Sequence, residues 1–140
     1  MCVWDCNSGR ITLSDVVSLR ANMARKHVAE ALETLTGTPC AADDEQRASM
    51  LASGAFSFCG AEAACVCSLS QGRLRTAEIC FSGGTAAQQR QALFKFIGRQ
   101  DPCPETMHSV RMRYPFGTVW IIMSCRSGDA SLRVTYAAKE

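Results

Sequence analysis

Apolar residues recur in the first quarter of the chain at Val16, Leu19, Met23, Val28, Ala31, Leu32 and Leu35, close to the period of an α-helix. Arg20, Arg25, Lys26, Glu30 and Glu33 fall on the other side. Thr12 followed by Asp15 resembles a capping box, Ile11 is placed to staple onto Val16, and Gly37 with Pro39 forms a stop. The pattern predicts one long helix over 11–37, preceded by an N-terminal arm at 1–10. Residues 41–47 are polar, 45–52 reads as a short helix, and Phe56-Ser57-Phe58-Cys59 reads as a short strand.

The middle of the chain changes period. Ala64–Leu69 is apolar and β-prone, Ser70-Gln71-Gly72 is turn chemistry, and Arg73–Phe81 returns as a second strand. Ser82-Gly83-Gly84 ends that hairpin. Thr85 with Gln88 opens another helix, whose apolar side is Leu93, Phe94, Phe96 and Ile97, and Gly98 closes it. The linker Asp101-Pro102-Cys103-Pro104 suits neither a helix nor a central strand.

Three further strands follow. Val110, Met112 and Tyr114 alternate with Arg111 and Arg113, and Tyr114-Pro115-Phe116-Gly117 is a turn with proline in its second position. Val119-Trp120-Ile121-Ile122-Met123 is apolar throughout, the pattern of a central strand covered on both faces. Ser127-Gly128-Asp129 is a turn, and Leu132, Val134 and Tyr136 alternate with Arg133 and Thr135. The expected architecture is therefore a single α+β domain over 1–140. It comprises an antiparallel sheet of about five strands, with the long N-terminal helix and the second helix packed on it.

The element order across residues 13–137 resembles the roadblock/LC7 family, and more loosely the profilin-like and longin-like sandwiches. Ala64–Gly72 looks like the first hairpin of such a domain, and Val110–Tyr136 looks like its meander. The chain departs from the pattern in its cysteine load and in the lack of a closing helix before Glu140. The resemblance implies a non-catalytic scaffold that dimerises through a sheet or helix and docks a protein partner, often a small GTPase or motor complex.

Composition narrows the alternatives. Hydrophobic residues make up 47% of the 140 and charged residues 20%, an ordinary globular balance. A net charge of +2 is too small to imply a nucleic-acid or membrane-surface partner. No apolar run is long enough to suggest a membrane-spanning helix. Met1–Asn7 lacks the basic start and apolar stretch of a signal peptide. The expected setting is cytoplasmic, with the alternative of a secreted domain in which Met1 replaces a removed leader.

The nine cysteines keep that alternative open: Cys2, Cys6, Cys40, Cys59, Cys65, Cys67, Cys80, Cys103 and Cys125. In an oxidising compartment all nine are disulfide candidates, with one left over. In a reducing one they are small core residues or metal ligands. Cys40, Cys59, Cys80, Cys103 and Cys125 fall at element ends or in loops, where bridges form readily. Cys59, Cys80 and Cys125 also follow apolar residues at strand ends, as buried fillers do. Cys65 and Cys67, two apart on a strand, share one face. With Cys2 and Cys6 they number enough to ligate zinc, but no C-x-x-C spacing accompanies them.

Other chemistry is sparse. The two histidines offer a base to a cysteine nucleophile only if His108 approaches Cys103, since His27 lies within the first predicted helix. Ser82-Gly83-Gly84-Thr85 precedes a helix without a P-loop or dinucleotide signature, and no cofactor is implied. Arg73, Arg75, Arg111, Arg113 and Arg133 all fall on strands. A two-residue turn after Tyr114 sets Arg111 opposite Trp120, in cation–π reach, and Arg113 opposite Thr118. Such a face suits a protein partner or a solvated sheet surface better than single-stranded nucleic acid at this net charge. Phe116 at the turn tip is either a partner-binding knob or a ring folded back onto its hairpin. The candidate partner-binding residues are thus Phe116, Trp120, Arg111 and Arg113, with no catalytic residue and no metal site. The expected function is a non-catalytic protein-interaction or adaptor domain that dimerises and docks a protein partner, with a secreted, disulfide-stabilised ligand or effector acting on a receptor or other extracellular partner as the alternative.

Overall fold

The computed structural model describes residues 2–37, 50–100, 109–123 and 129–137. Along the chain run β1 (Val3–Trp4), β2 (Ile11–Ser14), β3 (Val17–Leu19), α1 (Arg25–Thr36), β4 (Met50–Ala52), β5 (Phe56–Phe58), β6 (Ala61–Ser70) and β7 (Arg73–Phe81). Then come α2 (Ala86–Ile97), β8 (Ser109–Tyr114), β9 (Gly117–Met123) and β10 (Ala130–Tyr136). The strands form two antiparallel sheets. A three-stranded sheet has the order β1-β2-β3, and a seven-stranded sheet has the order β4-β6-β7-β10-β9-β8, with β5 also paired to β6.

The long N-terminal helix is overturned. Residues 11–19 form a β-hairpin, and α1 starts only at Arg25 and has 12 residues. The deciding pattern is alternation. Ile11, Leu13, Val17 and Leu19 are buried, while Thr12, Ser14 and Ser18 are half-buried. Val16, counted in the helical stripe, sits in the hairpin turn and is 80% exposed. Between hairpin and helix the chain pairs with the start of β7: the Leu74 N–H donates to the Met23 carbonyl at 2.9 Å, and the Arg25 N–H to the Gly72 carbonyl at 3.0 Å. The helix stop holds, because Gly37 is left-handed and its N–H donates to the Glu33 carbonyl at 2.7 Å.

The short helix expected at 45–52 is also corrected where it can be followed: Met50–Ala52 is strand β4, and 45–49 lie outside the described residues. The linker at 101–104 and the turn at 127–128 lie outside them as well. The hairpin of β6 and β7, the second helix and the β8–β9–β10 meander stand where the sequence pattern puts them. Thr85 and Gln88 make a complete capping box at the start of α2. The 56–59 segment contributes β5.

Among the described residues the covering layer lies on one side of the large sheet. Cys65, Cys67, Leu74, Ala77, Ile79, Val119, Ile121, Leu132 and Val134 point inward and are buried beneath α1, α2 and the inward residues of the small sheet. The alternate residues of β6, β7, β8, β9 and β10 are all half-buried or exposed. Strand β9 is therefore covered on one face only, and it sits beside the edge strand β8 rather than at the centre of the sheet. The described residues form two antiparallel sheets with two short helices, in place of a five-stranded sheet carrying a long helix. No helix among the described residues is long and apolar enough to cross a membrane.

Candidate functional site

The uncovered face of the large sheet is built in rows by the strand register. One row runs from Val66 to Glu78, Arg133, Trp120 and Arg111 across β6, β7, β10, β9 and β8. Beside it runs Ser68, Thr76, Thr135, Thr118 and Arg113, and on the other side Ala64, Cys80, Ser131, Ile122 and Ser109. Met50 and Ala52 of β4 extend the face past Ser68 and Val66. Small β-branched and hydroxyl side chains keep it low, so Trp120 and the arginines are its relief.

The central row is electrostatically ordered. Arg133 Nε donates to Glu78 Oε2 at 3.1 Å, and the two side chains are 45% and 23% exposed. The Arg111 guanidinium lies 5.5 Å from the centre of the Trp120 ring, as the two-residue turn predicts. Trp120 thus has an arginine on each neighbouring strand. Among the described residues neither Arg111 nor Arg113 meets a carboxylate. Cys80 lies on this face and its thiol donates to Glu78 Oε1 at 3.3 Å. Partial burial first, and the Glu78 carboxylate second, push that thiol up to about 12, so it stays protonated at neutral pH.

Phe116 is not part of this face. It stacks on Tyr114 at 5.2 Å and meets Trp4 at 5.5 Å and Tyr136 at 5.9 Å. The ring is folded back into an aromatic cluster that joins β1 to the β8–β9 hairpin. Phe96 extends the cluster from α2, 6.1 Å from Trp4.

The cysteines separate by place. Cys65 and Cys67 are fully buried on the inward face with their sulfurs 3.8 Å apart. The Cys67 contact and burial together hold the Cys65 thiol well above its ordinary value. Cys6 is exposed, and all six described cysteines carry free thiols. Cys40, Cys103 and Cys125 lie outside the described residues, as does His108; His27 is exposed on α1. Cys2, half-buried in front of β1, does not join Cys65 and Cys67 in the core. Among the described residues no group of three or more His, Cys, Asp or Glu side chains could hold a metal ion.

Gly83 and Gly84 serve structure. Their carbonyls accept from Gln89 Nε2 at 2.9 and 3.4 Å. Sequence reasoning placed Arg111 against Trp120 because a local turn sets that pair. It missed the Glu78–Arg133 half of the row, which depends on the non-local pairing of β7 with β10.

No protein-family profile, no curated protein and no solved structure matches this chain.

Proposed function

We propose that this chain is a non-catalytic protein-interaction domain that docks an acidic protein partner on the bare face of its large sheet. The observation that carries the reading is Trp120, half-exposed between Arg111 and Arg133 on a surface that neither helix covers. Aromatic and arginine side chains are the residues that most often anchor interfaces. In the three rows around Trp120, three arginines stand against one glutamate, a positive field that complements an acidic surface and opposes face-to-face pairing with a second copy. Of the element order across 13–137 on which the roadblock/LC7 resemblance rests, the hairpin, helix and meander over β6 to β10 are present while the long leading helix is not, and the part that is present supports a scaffold role. The cytoplasm is the setting that goes with this reading, and the free thiols of the six described cysteines support it over the secreted, disulfide-stabilised alternative.

Selection of binders from a displayed random-peptide library tests this. Acidic peptides should be enriched. Trp120→Ala and Arg111→Glu should each weaken their binding at least tenfold without lowering the melting temperature appreciably. Enrichment of neutral or basic sequences, or binding indifferent to both substitutions, overturns the reading. So does a concentration-dependent dimer lost in Arg111→Glu, which would give the face to a second copy. Salt-sensitive binding of a single-stranded oligonucleotide through Trp120 would give it to nucleic acid instead.

A further inference from the structure

A cavity of about 600 Å³ opens between the N-terminal strands, the β5–β6 turn and α2. Its lining includes two thiols, Cys2 and Cys59, and one ammonium, Lys95, beside Leu13, Ser57 and Phe96. The thiols come from distant parts of the chain, and both line this one cavity. The Cys2 thiol also donates to the Leu13 carbonyl at 3.8 Å, which holds it at the cavity wall.

Cys59 stands where turn geometry alone would select another residue. It and Gly60 form the two-residue loop between Phe58 and Ala61, and both have positive φ, 52° and 86°. That type I′ geometry favours asparagine, aspartate or glycine in the first position. Cys59 is exposed, so core packing does not account for it either. Its thiol is what distinguishes it from the residues the turn prefers.

We propose that this cavity is a thiol–disulfide exchange site, which takes a small carboxylate-bearing disulfide such as glutathione disulfide and ends as a Cys2–Cys59 bridge. The Cys2 sulfur attacks one sulfur of the disulfide. A Cys2–S–S–R bond forms, the R–S–S–R bond breaks, and one R–SH leaves with the proton that Cys2 gave up. The Cys59 sulfur then attacks the Cys2 sulfur and expels the second R–SH, again carrying the proton. Two protein thiols are oxidised and one small disulfide is reduced to two thiols. Burial, then the neighbouring Cys2 thiol, push Cys59 up to about 11, which makes it the poorer first nucleophile and leaves its attack on the mixed disulfide as the slow, base-dependent step. Lys95 offers its charge to a carboxylate of the incoming disulfide. The sulfurs must close to bonding distance, which requires the two Cα atoms to come within about 7 Å of each other.

The test uses the full reduced chain, glutathione disulfide as oxidant, and peptide mapping after alkylation. The expected product has lost the mass of two hydrogens and carries a Cys2–Cys59 cross-link that dithiothreitol reverses. In Cys59→Ser, and in Cys59→Asn, which suits the turn, a glutathione adduct should accumulate on Cys2. Lys95→Gln should slow the reaction several-fold with glutathione disulfide and leave it unchanged with neutral hydroxyethyl disulfide. The proposal is overturned if Cys2 and Cys59 both remain alkylatable in the folded protein. A Cys2–Cys6 bridge forming in preference overturns it equally. Equal slowing of both oxidants by Lys95→Gln removes the lysine from the site.

Discussion

The hydroxyl of Tyr136 donates to the carbonyl of Gly9 at 2.7 Å, tying the last strand of the large sheet to the segment that leads into β2. Both residues are buried, and Gly9 is left-handed against the face of Phe116, where a Cβ would collide with the ring. Trp4 and Gly9 are therefore the points at which the N-terminal segment joins the packed structure. Tyr136→Phe keeps the ring and leaves the Gly9 carbonyl without its donor. A loss of about 1–3 kcal/mol is expected, the usual range for a stranded buried acceptor. Urea unfolding should show a lower midpoint at an unchanged slope.

Gln89 links α2 to the beginning of β10 and is 1% exposed. Its Oε1 accepts from the Ala130 N–H at 2.7 Å, and its Nε2 donates to Asp129 Oδ1 at 2.9 Å. Gln89→Leu preserves approximate volume but strands the Ala130 N–H. It should cost about 2–3 kcal/mol. Hydrogen exchange should quicken at Ala130 more than at Val134 in the same strand.

Alkaline pH should destabilise the fold. Cys59 is pushed up to about 11 and Cys80 to about 12, chiefly by burial, and Cys65 and Tyr136 are also raised. In each case the unfolded chain gives up its proton at lower pH than the folded one. The stability these groups hold is fully present below the unfolded thiol value of about 8.5 and is lost as pH climbs past it, with the tyrosine contribution falling from about pH 10. Urea midpoints should be flat between about pH 7 and 8 as far as these groups are concerned, then decline. Cys80→Ser should flatten part of that decline.

Gly117 has φ 152°, and a Cβ there would run into the carbonyl oxygen of Thr135 on β10. The obstacle is backbone, so it has little room to move. Gly117→Ala should cost more than about 3 kcal/mol or prevent folding. Expression yield and circular dichroism would report it, and a native-like melting temperature would refute it.

Much of the large sheet was legible because its devices are local. Gln71-Gly72, Pro115-Phe116 and the Thr85–Gln88 box each act within a few residues, and the alternation around Arg111 and Arg113 repeats every second position. The first 24 residues misled because a two-residue alternation interrupted by a turn mimics a helical stripe. Val16, Leu19 and Met23 have the right spacing for a helix, yet one lies in a turn, one in a strand and one in a β-paired connection. The bare face was half visible: the meander sets Arg111 against Trp120, but nothing near Glu78 in sequence announces Arg133. Cys2 and Cys59 gave no sign that they line one cavity, since that depends on how the N-terminal segment, the β5–β6 turn and α2 come together.

Strand order also bears on how the chain is made. The β6–β7 hairpin can close on itself as soon as it leaves the ribosome, because its partners are joined by a two-residue loop. The β2–β3 hairpin emerges earlier and has α1 to pack on soon after, but the Gly9 carbonyl ahead of it gains its hydroxyl partner only once Tyr136 has been synthesised. Before α1 follows, Ile11, Leu13, Val17 and Leu19 are the residues a chaperone would find first.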